Sequence, residues 1–187
     1  TFNNFSLAEP LKGGAGQVLN FNWQFGQGNR YQVFSVGFTE PWLMSEPTTV
    51  GFNLYHRKLN YNQFQRIKTT GLSLNTGRRF RWPDDYFRGD LNLRFESNDN
   101  GESVGRYYRP GRNTEITLGA KLSRISLDNQ FFPTSGSRFS LSTDYAMGSI
   151  GLGTTDYMKT EFNFEMVNPL LSVEDYDRLV LYMSTKF

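Results

Sequence analysis

Residues 87–96 read Phe-Arg-Gly-Asp-Leu-Asn-Leu-Arg-Phe-Glu. Phe87, Gly89, Leu91, Leu93 and Phe95 take alternate positions, with Arg88, Asp90, Asn92, Arg94 and Glu96 between them. An extended chain points successive side chains to opposite faces, so this stretch predicts a strand that is apolar on one side and charged on the other. Arg88, Asp90, Arg94 and Glu96 on one face would be awkward in the dry core between two packed sheets, where unpaired charge is costly. They suit a wet interior. The stretch therefore points to a sheet with an apolar medium on one side and water on the other.

The same period recurs on both sides of this strand. Upstream, Leu19, Phe21, Trp23 and Phe25 alternate with Asn20, Asn22 and Gln24. Gly26-Gln27-Gly28-Asn29 then forms a turn, and a strand from Tyr31 to about Glu40 carries Phe34, Val36 and Phe38 on one face. Together they give the strongest hairpin signal in the chain. Pro41, Ser45 and Pro47 interrupt the pattern before Val50, Phe52, Leu54 and His56 alternate with Thr49, Gly51, Asn53 and Tyr55. Leu72 and Leu74 share a face within 68–76, and Arg81-Trp82-Pro83-Asp84-Asp85 reads as a tight connection.

Downstream, residues 97–112 are polar and Gly-rich and read as a long exposed loop. The next strand, near 115–127, puts Ile116, Leu118, Ala120 and Leu122 on one face; strict alternation places Arg124 there too. Pro133-Thr134-Ser135-Gly136 makes a turn into Phe139, Leu141, Thr143 and Tyr145. The last two strands are expected at 157–166 and 178–187, separated by a connection containing Asn168-Pro169. Connections near 26–30, 57–66, 97–113 and 147–155 would emerge at one end of the sheet. Those near 41–48, 83–85, 128–136 and 168–177 would emerge at the other.

The expectation is an all-β, antiparallel chain of about nine strands. Among the 187 residues, 17 Phe, 10 Tyr and 18 Gly fit strands and tight turns better than helices. A soluble sandwich shares that composition. Strand length favours a transmembrane barrel: most candidates run about eight to eleven residues, against ~5–6 in soluble proteins and the ~9–11 that a tilted membrane strand needs. No apolar run reaches the length of a membrane helix, which leaves a barrel open. Thr1 begins no signal peptide, so a mature or interior segment is expected.

The residue pattern supports no catalytic or cofactor chemistry. The 20 basic and 18 acidic side chains are interspersed, so no nucleic-acid partner is expected. Without cysteine there is no disulfide frame and no thiolate metal site. His56 is the sole histidine and reads as a polar loop or rim residue. Asp84-Asp85 lacks the separated geometry of an acid/base pair and reads as a turn. Asn98-Asp99-Asn100-Gly101 fails as a calcium loop, because Glu96 and Tyr107 fall where the first and last ligands belong; it reads as a solvated loop tip. Residues 148–153 lack the helix-opening context of a phosphate cradle. Arg88, Asp90, Arg94, Glu96 and Lys121 are candidates for a polar lumen.

Two motifs carry a family resemblance. Ser35-Val36-Gly37-Phe38-Thr39-Glu40-Pro41-Trp42 and Leu127-Asp128-Asn129-Gln130-Phe131-Phe132-Pro133-Thr134-Ser135-Gly136-Ser137-Arg138, in this order between alternating strands, resemble the BamA family. Those proteins are the central subunits of the bacterial β-barrel assembly machine. Asn3-Asn4-Phe5-Ser6-Leu7 is similar to the short turn ahead of the first strand in Bacteroidota-like sequences of the family. The resemblance implies the third to eleventh strands of a sixteen-strand barrel in the cell outer membrane, which explains the odd strand number. POTRA modules, the first two strands, the C-terminal strands and the inward Arg-Gly-aromatic loop are then expected to be absent from this stretch. Gly105-Arg106-Tyr107 has the wrong context and order for that loop.

The implied function is that of a central barrel segment in a machine that folds and inserts outer-membrane proteins, without enzymatic activity or cofactor. Its implied partners are outer-membrane lipid, nascent client proteins and accessory subunits. A secretion or translocation pore and a passive porin remain alternatives. Thr39, Glu40, Pro41 and Trp42 would form one rim feature, with Trp42 anchoring the membrane interface. Asp128, Phe131, Phe132, Pro133, Thr134, Gly136 and Arg138 would form another, whose plainest role is a strand-to-strand turn.

Overall fold

The computed structural model describes residues 16–26, 28, 30–43, 46–60, 66–101, 110–148, 151, 153–173 and 176–187. The motif at 3–7, the triplet 105–107, and Gln27, Asn29, Ser45 and most of 149–152 lie outside these residues. Among the described residues nine strands follow in order: β1 (Val18–Phe25), β2 (Tyr31–Glu40), β3 (Thr48–Asn60), β4 (Arg66–Arg79), β5 (Phe87–Asn100), β6 (Gly111–Ile125), β7 (Gly136–Met147), β8 (Asp156–Val173) and β9 (Tyr176–Lys186). Each pairs antiparallel with the next, giving a single meander with no crossover. Successive connections therefore alternate between the two ends of the sheet.

Register keeps like with like across the sheet. Phe52 pairs with Leu74, Leu74 with Leu93 and Leu93 with Leu118. Leu122 pairs with Leu141, and Leu141 with Phe162. A slip of one residue would turn any of these side chains to the polar face, so the alternation itself fixes the pairing. Aromatic contacts add to it: Phe21 meets Phe34 edge-on at 5.6 Å between centroids, and Phe139 meets Phe162 at 5.7 Å.

Among the described residues no second layer covers the apolar face. Among the described residues the buried hydrophobic side chains are Ala146 and Val167, whereas Phe21, Trp23 and Phe25 are 63, 65 and 72% exposed. Exposed apolar surface on this scale is untenable in water, at ~25 cal/mol per Å². In hydrocarbon it is the favoured surface. On β4 the apolar-face register runs from Lys68 to Arg78 through Thr70, Leu72, Leu74 and Thr76. At ~3.4 Å per residue and a barrel tilt of ~45°, the two charges stand about 25 Å apart along the membrane normal, the height of a barrel's apolar band. The chain is an all-β antiparallel segment of a larger transmembrane β-barrel.

Three expectations need correction. The stretch 97–112 is not one long loop: β5 continues to Asn100 and β6 starts at Gly111, with Ser97↔Thr114 and Asn98↔Asn113 in register. Asn98-Asp99-Asn100 is thus strand rather than loop tip, and Thr69 Oγ1 donates to Asn98 Oδ1 at 2.7 Å. Nor does Asn168-Pro169 end the eighth strand. β8 runs on to Val173, and the pairing with β9 shifts register between Pro169 and Leu171. Pairing with β7 ends at Val167, so Pro169 lies where β8 has an unpaired edge, a place that tolerates a residue with no N–H. The 57–66 connection is also shorter than expected: β3 runs through His56 to Asn60, and β4 starts at Arg66, so His56 is strand rather than loop.

Candidate functional site

The clearest built feature is the turn between β6 and β7. Asp128 accepts from the Thr134 hydroxyl at 2.7 Å, the Thr134 amide at 3.0 Å and the Ser135 amide at 3.1 Å. Asn129 Oδ1 accepts from the Phe131 and Phe132 amides at 2.8 and 3.1 Å. Short polar side chains that bond to backbone a few residues ahead replace the missing ladder in turns. The donors around Asp128, led by the Thr134 hydroxyl and then the Ser135 amide, hold its carboxyl down at about 2. Phe131 and Phe132, braced from below, remain 84 and 82% exposed.

Gly136 closes the turn with φ +108°, in a place where a Cβ would overlap the Ser126 carbonyl. Arg138 does not bond to Asp128, with which it brackets the motif; it reaches Glu165 on β8 at 3.3 Å. Arg124 does more than the sequence discloses. Its Nε donates to Asp84 at 2.8 Å, and its Nη1 donates to Ser126 and Ser137 at 2.8 and 3.0 Å. The same guanidinium lies 5.6 Å from the Tyr86 ring centre and 5.8 Å from that of Phe87. One arginine thus ties the β4–β5 connection to the β6–β7 turn. Asp84 serves that tie and accepts from the Tyr86 amide, while Asp85 is exposed.

Thr39-Glu40-Pro41-Trp42 lies at the same end of the sheet. Glu40 accepts from the Trp42 amide at 3.1 Å and from Gln17 Nε2 at 2.5 Å, so it fixes the exit from β2 and ties it to the start of β1. Trp42 is exposed.

The polar face carries the second feature. Arg88, Asp90, Arg94 and Glu96 share it with Lys121, which pairs with Asp90. Arg88 Nε donates to Asp90 at 2.8 Å, and both side chains lie across Gly77, where a Cβ would collide with them. Nearer the opposite end, Glu96 and Glu115 are direct cross-strand partners. Like charges so placed repel. Each is met by a tyrosine two strands away: Tyr55 passes over Gly71 to donate to Glu96, and Tyr157 donates to Glu115 at 3.1 Å. Thr117 adds a 2.9 Å donation to Glu115. Above this pair is a hollow of about 550 Å³, lined in part by Arg57, Thr69, Asn98 and Asn113.

Tyr55, Tyr157 and Glu115 escaped the sequence reading. Their signal was a glycine inside an alternating strand, Gly71, which marks a close approach without naming what approaches. His56 lies on the apolar-face register, with Nδ1 2.8 Å from the Thr70 hydroxyl. Among the described residues no three His, Asp or Glu side chains converge as a metal site would require.

No curated protein sequence matches the chain. Among solved structures, BamA from Haemophilus ducreyi lacking POTRA domains 1–3 superposes with a TM-score of 0.62 at 19% identity. The match covers 84% of this chain and 32% of that one, so the chain spans about a third of that structure's length. At this identity the likeness is one of fold. The profile of the Omp85 superfamily domain matches residues 13–187, nearly the whole sequence, and the chain accordingly belongs to the Omp85 superfamily.

Proposed function

We propose that this chain is a wall segment of an outer-membrane barrel that folds and inserts other outer-membrane proteins, corresponding to the third to eleventh strands of a sixteen-strand BamA-like barrel. The observation that carries the reading is the Omp85 match over residues 13–187. In this reading the polar face, with Arg88, Asp90, Arg94 and Glu96, lines a water-filled lumen, and the opposite face meets lipid. The 41–47, 80–86 and 126–135 connections form the periplasmic rim, with Trp42 at the membrane interface and the Asp128 turn joining two wall strands. The role is non-enzymatic. Its physical basis is a surface on which a client's strand edges are satisfied while entering lipid, where unpaired backbone groups cost several kcal/mol each.

POTRA modules and the remaining strands are assigned to other parts of the intact protein, as are the contacts with accessory subunits. The test is insertion of an unfolded outer-membrane client into liposomes containing the intact protein. Accelerated client folding supports assembly. Solute flux without client folding would replace this reading with a passive porin, and release of client to the far side would replace it with a translocation pore.

A further inference from the structure

The apolar-face register ends differently at the two ends of the sheet. At the rim described above, its arginines are neutralised within the chain: Arg78 by Glu46 at 3.0 Å and Arg124 by Asp84 at 2.8 Å. At the opposite end one row crosses four strands as Lys58, Lys68, Asp99 and Arg112, each paired to the next, with Arg66 one step beyond. Asp99 is the sole acid in this group. It is shared at long range by Arg66 at 3.8 Å and Lys68 at 3.9 Å. Lys58 makes no ion pair among the described residues although it stands directly opposite Lys68. Two cations in register repel unless an anion lies between them.

The layering beneath this row matches a lipid leaflet. Leu54, Leu72, Phe95 and Ile116 form an apolar row. One step outward come His56, Thr70, Ser97 and Thr114, all able to hydrogen-bond and none a fixed charge. The cationic row follows, about 13 Å along the strand from the apolar one and so about 9 Å along the membrane normal at the ~45° tilt. Acyl chain, ester or sugar, and phosphate succeed one another in the same order. We propose that this outward surface of β3–β6 holds the phosphate-bearing headgroup of an anionic membrane lipid, its phosphate oxygens set between Lys58 and Lys68. The proposal requires the barrel to span a bilayer and is independent of client insertion.

The test places the intact protein in phosphatidylcholine nanodiscs doped with lipid A and measures lipid retained on the released protein by native mass spectrometry. Wild type should retain lipid A over phosphatidylcholine. Lys58→Gln with Lys68→Gln should lower retention about ten-fold or more. Lys58→Arg with Lys68→Arg should keep it, and Asp99→Asn should raise it. An unheated gel-mobility shift identifies folded protein for each variant. Retention unchanged in the folded glutamine variant would overturn the proposal, as would no gain with Asp99→Asn. If the glutamine variant does not fold, the arginine and asparagine variants decide alone. Displacement of lipid A by millimolar inorganic phosphate would make this a free-phosphate site and also overturn it.

Discussion

Asp128 and Gly136 bear on the same turn by different physics. The Asp128 carboxyl lies at about 2 in the folded chain against 3.8 unperturbed. Its contribution is therefore complete above pH ~4 and is lost as pH falls through ~2. Hydrogen exchange of the Thr134 and Ser135 amides, corrected for intrinsic rate, should show protection falling across that window in wild type and no such step in Asp128→Asn. Gly136→Ala meets both the positive φ and the Ser126 carbonyl, and should cost about 1–3 kcal/mol in urea unfolding of the intact protein. On the polar face, Tyr55→Phe leaves Glu96 without its tyrosine donor beside Glu115, with an expected loss of about 1 kcal/mol. The Asp128 turn was legible because Asn, Asp, Pro and Gly announce turn chemistry locally. Arg124 was legible only as an arginine out of keeping with Leu122; its partner Asp84 lies 40 residues away, and no local pattern encodes that distance.

Individual strands were read where one face is apolar and the other polar. β2 was expected from Tyr31 to about Glu40 and ends there, because Phe34, Val36 and Phe38 define its phase. The ends of β5 and β6 were missed because alternation of hydrophobicity stops before the ladder does. Ser97 to Asn100 pair with Gly111 to Thr114 as polar residues on both faces. At Pro169 the reading followed the missing N–H, whereas β8 runs on past the end of its ladder with β7 and stays paired with β9. The two faces of β5 make a direct comparison. Leu93→Arg places a cation on the apolar face and should destabilise folding in bilayers by about 2–4 kcal/mol. Asn92→Arg, one residue away on the polar face, should cost about 1 kcal/mol, chiefly through the lost bond to Asn75 at 2.6 Å. Equal costs would contradict the assigned phase.

For the molecule, one sheet exposes Phe, Leu and Trp side chains on one face and pairs charged and hydroxyl groups across the other. Neither face makes sense alone in a single solvent. The fold class was open to sequence reading since it rests on a two-residue period repeated along nine strands. The tyrosine–carboxylate bridges and the cationic row were not, because they join residues only after register is set. Lipid on one side and water on the other is the condition on which the other assignments rest. Residues 1–187 contain no cysteine, so once any cysteine elsewhere in the intact protein is replaced, single cysteines at positions 91 to 96 can be spin-labelled in bilayers. Oxygen collisions should peak at Leu91, Leu93 and Phe95, and those with a water-soluble nickel reagent at Asn92, Arg94 and Glu96. Two reagents varying in phase, or no alternation at all, would contradict a membrane-spanning wall.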